Sequence, residues 1–518
     1  MQVSRDDFTL GKLVRYSRVA RPWRLGLEYW TRYLPHQRQS QTVRPEMTRY
    51  VLMTLLFALP VAAAPAERTL SFTKLWTHGH TTPGQVSEIP AFDKRTNTIW
   101  VAGVVGVDVL SGETGALIEH IDVTAHGLVN SVSIHNGLAA FAIEAGPPDR
   151  RRPGVVVFYD TRTRLPIGDP VTVGSLPDML TFTHDGSKLL VANEGTPNAA
   201  ADTAYTAPDP PGSVSIIDVE TRTVIATAGF DNVPRFGNNL RTNVGMDFEP
   251  EYIAIEHDGS KAFVTLQEAN GIAVLDLSLN AFTEIIGLGA KDFSLLGNEF
   301  DPKDNDGTIA FINVPAKGLY MPDGVASYKW RGRTYLVLAN EGDFREDNAD
   351  RSAAGSAPFS AATPLDRLRI SNVDSTPGDL YAAGARSMSI RDADGTVVFD
   401  SGSILDTEAH ARGVYDNGRS RDKGVEPEGV ALLDARGRTY AFVGLERTTS
   451  SAVAVFDITD PNQATFLDMI VTPGDLSPEG LSVFAYRGKF YLAIANEVAA
   501  IGATAANTTL YRIDLPRP

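Results

Sequence analysis

The chain repeats a unit that ends in an apolar strand followed directly by an aspartate. The seven instances are Val107-Asp108, Tyr159-Asp160, Ile217-Asp218, Leu275-Asp276, Phe399-Asp400, Phe456-Asp457 and Ile513-Asp514. One or two further apolar segments precede each of them, among them Thr98–Gly103, Leu138–Glu144, Lys188–Asn193, Lys261–Gln267, Thr334–Asn340, Thr439–Leu445 and Phe490–Asn496. No unit is long enough to bury its own strands, so neighbouring units must pack together. The repeats therefore predict an all-β fold, a seven-bladed β-propeller.

Three further segments complete this predicted architecture. Thr69–Leu75 precedes the first unit, and we expect it to supply the outermost strand of the last blade and close the ring. Lys291–Pro315 and Asp343–Ala385 are two loop insertions that we expect to form a lid over the channel mouth. A β-helix or a pair of β-sandwiches is the alternative, less favoured because the order of strands and turns keeps one polarity throughout.

The N-terminal region differs from the repeats. Residues 47–64 combine Arg49, an apolar run and a small-residue cleavage site, which predicts a signal peptide rather than a membrane span or a buried strand. Residues 1–46 are rich in Arg and aromatic residues, and we interpret them as an upstream extension; a basic arm that binds nucleic acid is the alternative. The propeller domain is then predicted to span residues 67–518, outside the cytoplasm, as a periplasmic or secreted protein.

The charge balance restricts the possible partners. The net charge is −16, and it becomes −22 without residues 1–66, which carry ten Lys or Arg and four Asp or Glu. Such an acidic surface argues against nucleic acid or an anionic membrane as a partner. The chain has no cysteine, which excludes disulfides and thiolate metal sites. No apolar tail follows the last predicted strand, so we expect no C-terminal membrane anchor and no stable membrane span in the mature chain. We also expect a monomer.

Pairs of carboxylates recur at fixed positions in five of the units. A Pro–acid pair opens a strand, and a second acid ends the next strand 16 to 18 residues later. The pairs are Asp178 with Glu194, Glu251 with Glu268, Asp323 with Glu341, Glu428 with Glu446, and Glu479 with Glu497. In an antiparallel hairpin the two members lie side by side, about 5 Å apart, where like charges destabilise the sheet. The repetition predicts that positive charge lies between them.

Three interpretations of these pairs remain open. Pro-Asp-Gly and Pro-Glu-Gly are turn signals whose acids cap backbone amides, which accounts for the first acid of a pair but not for the second. The second interpretation is a divalent-cation site at the channel mouth, with calcium as the candidate because it prefers carboxylate and carbonyl oxygens. Its predicted ligands are Asp178, Glu194, Glu251, Glu268, Asp323, Glu341, Asp343, Glu428, Glu446, Glu479 and Glu497. The third interpretation is metal-assisted hydrolysis of a phosphoester, with Lys317, Arg345 and Arg447 as phosphate contacts.

The first two units offer fewer acids. Their equivalent positions hold Glu88 with Gly103 and Asn130 with Glu144. A bound cation should therefore lie towards the third to seventh units. Asp301, Asp304 and Asp306 also look like calcium-loop residues, although their spacing does not fit an EF-hand.

Several motifs resemble the choice-of-anchor I domain family of secreted and surface-associated bacterial proteins. They include LVANEG at Leu190–Gly195, KGLYMPD at Lys317–Asp323, NEGDFR at Asn340–Arg345 and KGVEPEG at Lys423–Gly429. The resemblance implies a propeller outside the cytoplasm, and some similar proteins carry alkaline-phosphatase-like labels. The chain departs from the family pattern at Gly418–Lys423, where acids that we would expect are missing, which weakens any metal role for that loop.

These observations predict an extracytoplasmic binding module with an acidic, cation-binding mouth, whose ligand is a small molecule, a phosphoester or a surface group. A calcium-dependent phosphoesterase, similar to an alkaline phosphatase or a phytase, is the alternative. Motifs for a serine-hydrolase elbow, a P-loop or a zincin helix are absent from the sequence, and no residue is assigned a catalytic role.

Overall fold

The computed structural model describes residues 70–146, 149–195, 210–242, 248–304, 306–344, 350–497 and 506–516. The predicted upstream extension and signal peptide lie outside these ranges. Pro65–Pro518 form one compact unit. Among the described residues the fold is all-β, with one α-helix, Ile404–Ala411, and two short 3₁₀ helices, Asn417–Arg419 and Pro461–Gln463.

Most strands belong to sheets of four or five strands, numbered here in chain order. Sheet 1 contains Pro90–Asp93, Thr98–Gly103, Gly106–Ser111 and Leu117–Asp122. Sheet 2 contains Leu128–His135, Leu138–Glu144, Pro153–Asp160 and Val171–Ser175. Sheet 3 contains Pro177–Phe182, Lys188–Asn193, Ser213–Asp218 and Thr223–Ala228. Sheet 4 contains Pro250–Ile255, Lys261–Leu266, Gly271–Asp276 and Ala281–Leu288, with Arg235–Asn238 added in parallel at its outer edge.

The remaining large sheets follow the same order. Sheet 5 contains Val325–Trp330, Arg333–Asn340, Ser387–Asp392 and Val397–Asp400. Sheet 6 contains Pro427–Ala435, Arg438–Leu445, Ser451–Asp457 and Thr465–Thr472. Sheet 7 contains Pro478–Tyr486, Lys489–Asn496 and Asn507–Asp514, and its outermost strand is Ser71–Gly79 from the start of the described chain. The prediction that the segment before the first unit completes the last sheet is therefore confirmed, with the strand running to Gly79.

The apolar core lies between consecutive sheets. The second strand of each sheet is buried along most of its length, because both of its faces are covered by neighbouring sheets; Trp100, Phe141 and Phe442 are fully enclosed. Sheets 1 and 2 share one core cluster, and each following pair shares another. The cluster around Ile99, Val101 and Leu510 joins sheet 7 to sheet 1. This repeated packing is propeller-like.

The first strands of the seven sheets contact one another in the same sequence, and the first strand of sheet 7 contacts that of sheet 1. The starts of these strands therefore meet in one region, which is where the Pro–acid pairs lie.

The aspartates that end strands mostly cap the following turn. Asp160 Oδ1 accepts a hydrogen bond from the backbone amide of Thr163 at 2.7 Å, and Asp218 and Asp276 make equivalent bonds to Thr221 and Ser278. Asx turns of this kind favour aspartate at a strand end. Six of the seven predicted aspartates end a strand, and the prediction was wrong only for Asp108.

Asp108 does not end its strand, because Gly106–Ser111 continues past it. Asp108 is buried there and bonds two histidines instead of a turn. In sheet 5 the third strand ends at Asp392, and Asp400 ends the fourth strand.

The two insertions form a small substructure with its own core. Ala290–Asp292, Lys317–Leu319 and Tyr381–Ala382 make a three-stranded sheet, and Arg351–Ala353 pairs with Arg369–Ser371. Phe293 and Phe300 from the first insertion pack with Phe359, Leu368 and Ile370 from the second in one buried cluster. This shared core holds the two insertions together. In the described part of the chain no helix is long and apolar enough to cross a membrane.

Candidate functional site

The hairpin at the start of each sheet brings the two acids of a pair together. In sheet 3, Pro177 is paired with Asn193, and the Glu194 amide donates to the carbonyl of Leu176 at 2.8 Å. Matching bonds of 2.9 Å run from Glu446 to Glu426 and from Glu497 to Ser477. The first acid follows the proline and the second follows the paired strand, so both leave the hairpin at the same end.

The backbone before the proline is strained at four of these hairpins. Leu176, Met321, Glu426 and Ser477 have φ of 45°, 41°, 52° and 49°. Residues with side chains rarely adopt positive φ, and such strain is concentrated at functional sites. The strand register also shifts just after the proline in sheets 3, 4, 6 and 7. A bulge at this point redirects the side chain that follows the proline.

Acids from six of the seven sheets converge on one cavity of about 260 Å³, here called the acidic cavity. Its lining residues are Glu88, Ile89, Asn130, Asp178, Glu194, Glu251, Tyr252, Gln267, Glu268, Asp323, Glu341, Asp343, Phe344, Glu428 and Glu479. Nine of the eleven predicted metal ligands are in this set. The other two, Glu446 and Glu497, lie beside it, since each has a carboxylate oxygen within 4.8 Å of one from Glu479.

Burial and mutual repulsion raise the pKa of most of these carboxyls. The pKa of Glu251 lies well above its usual value because of burial first and then the charges of Glu194 and Glu268. Burial and neighbouring acids likewise raise the pKa of Asp323, Glu428 and Glu479.

The carboxyls at the periphery of the cavity are affected as well. Burial and Glu497 raise the pKa of Glu88 to about 8, and burial and Asp343 raise that of Glu268 to about 8. For Glu446, burial and Glu341 raise the pKa to about 8. The pKa of Asp178 rises to about 6, mainly through burial, with Arg150 opposing the shift. The cavity therefore favours protonated acids unless positive charge enters it.

Two carboxylate oxygens facing the cavity have no hydrogen-bond partner. They are Oε2 of Glu268 and Oε2 of Glu428, and both side chains are more than nine-tenths buried. A buried acceptor without a partner costs about 1–3 kcal/mol, so these oxygens are available to a ligand that supplies positive charge.

Lys423 already supplies one positive charge at the edge of the cavity. Its ammonium lies 2.5 Å from Glu341 Oε1, 3.2 Å from Asp343 Oδ2 and 3.0 Å from Glu426 Oε2. The side chain of Lys423 thus supplies part of the positive charge that the sequence analysis predicted between the acids. Its single positive charge is shared by these three carboxylates and compensates them only in part, and the acids of the other sheets remain to attract a cation.

Two groups of acids have the spacing that a metal ion requires. Glu341, Glu428 and Glu446 each offer an oxygen within 4.8 Å of the others, and so do Glu446, Glu479 and Glu497. Both groups lie on sheets 5 to 7. Glu446 also bonds the Arg447 guanidinium at 2.7 Å, so a cation there would compete with an arginine.

Sheets 1 and 2 differ from the others as expected. Gly103 occupies the place of the second acid in sheet 1, and a Cβ there would lie 2.2 Å from the carbonyl oxygen of Val86, so no side chain fits. Asn130 of sheet 2 donates to the carbonyl of Pro177 at 3.2 Å, and Glu144 pairs with Arg150. Glu88, in contrast, reaches the acidic cavity, so sheet 1 contributes one acid.

The three predicted phosphate contacts are in different places. Lys317 is in the small three-stranded sheet, where its ammonium bonds Asp379 at 2.8 Å and the Tyr381 hydroxyl at 3.0 Å, and it is not among the residues that line the acidic cavity. Arg345 lies outside the described residues. Arg447 lines a second cavity of about 540 Å³, here called the basic pocket. That pocket is lined by Asp343, Phe344, Arg351, Arg369, Arg419, Asp422, Lys423, Glu426 and Arg447.

The basic pocket adjoins the acidic cavity, since Asp343 and Phe344 line both. The Arg351 Nε atom is buried there without a hydrogen-bond partner. The other cations have acidic neighbours: Arg419 bonds Glu426 at 2.5 Å, and Arg369 lies 3.4 Å from Asp422. An anion that entered this pocket would meet several guanidinium groups beside the carboxylates.

The sequence analysis missed several residues of this site. Lys423 and Glu426 form its buried ion pair, and Gln267 donates to Glu341 Oε2 at 2.6 Å. Both charged residues belong to KGVEPEG, so a lysine and a glutamate next to a Pro–acid pair were the available signal.

The Gly418–Lys423 loop lacks the acids that the family pattern led us to expect, because its residues contact the first insertion instead. Ser420 donates to Asp301 at 2.8 Å, and Arg421 forms an ion pair with Asp304, with Nε 3.1 Å from Oδ2.

The acids of the first insertion have protein partners of their own. Asp304 also bonds Arg367 at 2.6 Å, and Asp306 caps the Thr308 amide at 3.0 Å. The Arg367 contact joins the first insertion to the second, and Asp306 stabilises a turn within the first insertion. Residues that resembled a calcium loop thus have a structural role.

Comparisons with known proteins were made for sequence and for structure. The model of the choice-of-anchor I domain family matches residues 88–461. No curated protein matches the sequence. A chain of the mitotic checkpoint complex crystal structure is similar with a TM-score of 0.48 and 12% identity over 89% of this chain and 98% of the other. A chain of Kuenenia stuttgartiensis hydrazine synthase has a TM-score of 0.47 and 12% identity over 81% of this chain and 94% of the other.

The fold and the site define an all-β protein of small antiparallel sheets in a propeller-like arrangement, with an acidic cavity where the sheets begin. The family match covers well over half of the chain, and the protein belongs to the choice-of-anchor I domain family.

Proposed function

We propose that this protein is a seven-bladed β-propeller that acts outside the cytoplasm as a binding module, with calcium or another divalent cation held in the acidic cavity. Seven apolar clusters, each shared by two consecutive sheets, support the seven blades. The outermost strand of the last blade comes from the N-terminal side, an arrangement that closes a propeller without leaving a free edge.

The observation that carries the cation proposal is the convergence of carboxylates with unpartnered oxygens on a single small cavity. A cluster of acids alone would be weak support, because repulsion is relieved by protonation. The buried Oε2 atoms of Glu268 and Glu428, however, accept no hydrogen bond and lie where a cation would satisfy them. Calcium suits the site because it takes six to eight oxygen ligands at about 2.3–2.6 Å and needs neither cysteine nor histidine.

The cation is best accommodated by sheets 6 and 7. Lys423 already pairs with Glu341 and Asp343 from sheet 5 and compensates part of their charge. Among the described residues, no lysine forms an ion pair with Glu428, Glu479 or Glu497. Glu479 also belongs to one of the two groups of closely spaced carboxylates. We therefore place the cation beside Glu428 and Glu479, off the centre of the ring.

Calcium titration of the purified chain by calorimetry, after removal of metals with a chelator, tests this proposal. Wild-type protein should bind calcium and melt at a higher temperature with it. Glu428→Gln, which removes a charge from a buried ligand, should weaken binding at least about tenfold, by analogy with the loss on mutating groups around a metal site. Glu220→Gln, at an exposed position, is the matched control. Absence of binding to the wild type, or equal binding by both variants, would contradict the proposal.

The alternative function is a calcium-dependent phosphoesterase, and the basic pocket favours it. A phosphate group could lie against Arg369, Arg419 or Arg447 while cations in the neighbouring cavity contact its oxygens. Hydrolysis of a chromogenic phosphoester that depends on calcium, stops with chelator and is lost in Arg447→Ala would support this function. Calcium binding without hydrolysis would contradict the phosphoesterase function and support the binding module.

A further inference from the structure

A cluster of three histidines and one aspartate links the N-terminal closing strand to sheet 1. His78 is in Ser71–Gly79 and His80 directly follows that strand, while Asp108 and His120 are in the third and fourth strands of sheet 1. Thr508 in the neighbouring strand of sheet 7 completes the group. None of the five residues is among those that line the acidic cavity or the basic pocket.

The aspartate and two of the histidines hold one another in fixed orientations. His80 Nδ1 lies 2.6 Å from Asp108 Oδ2, and His120 Nδ1 lies 2.6 Å from Asp108 Oδ1. Because a carboxylate only accepts, both ring nitrogens donate to it. The other nitrogen of His80 is 2.8 Å from the Thr508 hydroxyl, which itself bonds Ser87 at 3.0 Å. His80 and Asp108 are almost completely buried.

His78 is the member of the cluster that this network does not explain. Its ring meets that of His80 edge to face, with centroids 5.1 Å apart. Its Nε2 atom is buried and has no hydrogen-bond partner. Burial lowers the pKa of His78, and a hydrogen bond with the backbone of Gly115 opposes this shift; Nδ1 is the ring nitrogen available for it, because Nε2 has no partner. Nε2 therefore carries a free lone pair.

This arrangement has the chemistry of a transition-metal site. One atom each of His78, His80 and Asp108 lies within 4.8 Å of the other two. Metal-binding histidines usually donate their second ring nitrogen to a carbonyl, a carboxylate or another polar group, as His78 does to Gly115 and as His80 would to Thr508. Two imidazoles and a carboxylate are typical zinc ligands, whereas calcium takes oxygen ligands.

We propose that His78, His80 and Asp108 bind zinc or another divalent transition metal, which fastens the closing strand to sheet 1. The metal takes the place of the proton that now lies between His80 and Asp108, and that proton is released to solvent. Asp108 keeps its bond from His120, which orients the carboxylate. The closing strand is joined to its own sheet by backbone bonds, and the metal adds a link to the sheet on the other side.

Without a metal, the hydrogen bonds from His80 and His120 satisfy Asp108, so the cluster is also stable as a protein-only network. That network leaves His78 Nε2 buried without a partner. The role of this atom therefore distinguishes a metal site from a protein-only network. A substitution at His78 tests the metal site without breaking the bonds of Asp108.

Zinc titration of the full-length, metal-free protein by calorimetry, with calcium in excess to occupy the acidic cavity, is the direct test. We expect one zinc per chain and a melting temperature that rises with zinc concentration. His78→Ala should bind zinc at least about tenfold more weakly, while its metal-free melting curve stays close to that of the wild type. His126→Ala, at an exposed histidine, should bind as the wild type does.

X-ray absorption at the zinc edge on the wild type keeps the test independent of whether a variant folds. Imidazole scattering with ligands at about 2.0–2.1 Å is expected. The proposal is overturned if the wild type binds no zinc, if His78→Ala binds zinc as tightly as His126→Ala, or if the zinc shell contains only carboxylates.

Discussion

Lys423 shows how one residue changes the electrostatics of the site. Its ammonium is buried and has Glu341, Asp343 and Glu426 as partners, and these acids raise its pKa although burial opposes them. The ammonium therefore stays charged at neutral pH and well above it. A buried ion pair contributes little net stability, but loss of one partner leaves the others buried and uncompensated.

Replacing Lys423 by methionine should destabilise the metal-free protein by about 3–5 kcal/mol at neutral pH, because Glu341 and Glu426 would then share a buried region without a lysine. The loss should shrink towards pH 4, because burial raises the pKa of Glu341 and protonation removes its charge. Urea unfolding at both pH values measures it. Lys329→Met, at an exposed lysine, is the control, and an equal effect of the two substitutions would show that the Lys423 contacts contribute nothing.

At the level of secondary-structure elements, the closing strand Ser71–Gly79 links the two ends of the series of sheets. It pairs with Asn507–Asp514 along its whole length, with a bulge between Lys74 and Trp76. Phe72 packs against Phe442 of sheet 6, with ring centroids 6.2 Å apart, and Trp76 joins the cluster between sheets 7 and 1. The strand therefore covers the edge of sheet 7 and parts of two apolar cores.

A truncation that starts after Gly79 should lose about 2–3 kcal/mol of unfolding free energy relative to one that starts at Pro65. Phe72 and Trp76, both partly buried, leave their cores, where a fully buried side chain contributes about 1.5–3 kcal/mol, and a strand edge becomes exposed. Chemical denaturation of the two truncated proteins measures the difference. Equal midpoints would mean that the strand is dispensable for the ring.

For the whole molecule, the concentration of acids at one cavity couples stability to pH and to metal. The pKa values of Glu88, Glu268 and Glu446 are each raised from 4.5 to about 8 in the folded protein, chiefly by burial. A raised pKa contributes stability that is fully present below pH 4.5 and is lost as the pH rises through about 8. A bound cation favours the ionised ligands and removes this loss.

In the presence of chelator, the unfolding free energy should therefore decrease between about pH 5 and pH 8, and calcium should restore it most at the upper end of that range. Urea titrations at several pH values, with chelator and with calcium, give both curves. A metal-free stability that stays constant or increases over this range would contradict the electrostatic description of the cavity.

The sequence alone determined the hairpins and their acids. Short apolar runs, strand-end aspartates and Pro–acid pairs are local signals, so Thr98–Gly103, Leu138–Glu144 and Lys188–Asn193 were predicted with their observed bounds. The same signals placed nine predicted metal ligands at one cavity, although their affinity for metal stays a prediction.

Only the tertiary structure decided which charges face one another. Lys423 and Glu341 are 82 residues apart, and His80 and Thr508 are 428 residues apart, so no local pattern predicts that they meet. Asp108 matched the repeated strand-end aspartate in sequence, but His80, which directly follows the closing strand, and His120 from the fourth strand of sheet 1 both bond it and make it a buried partner instead. Local backbone preferences fix where strands and turns occur, whereas the partners of buried charges depend on which distant strands the closed packing of the sheets brings side by side.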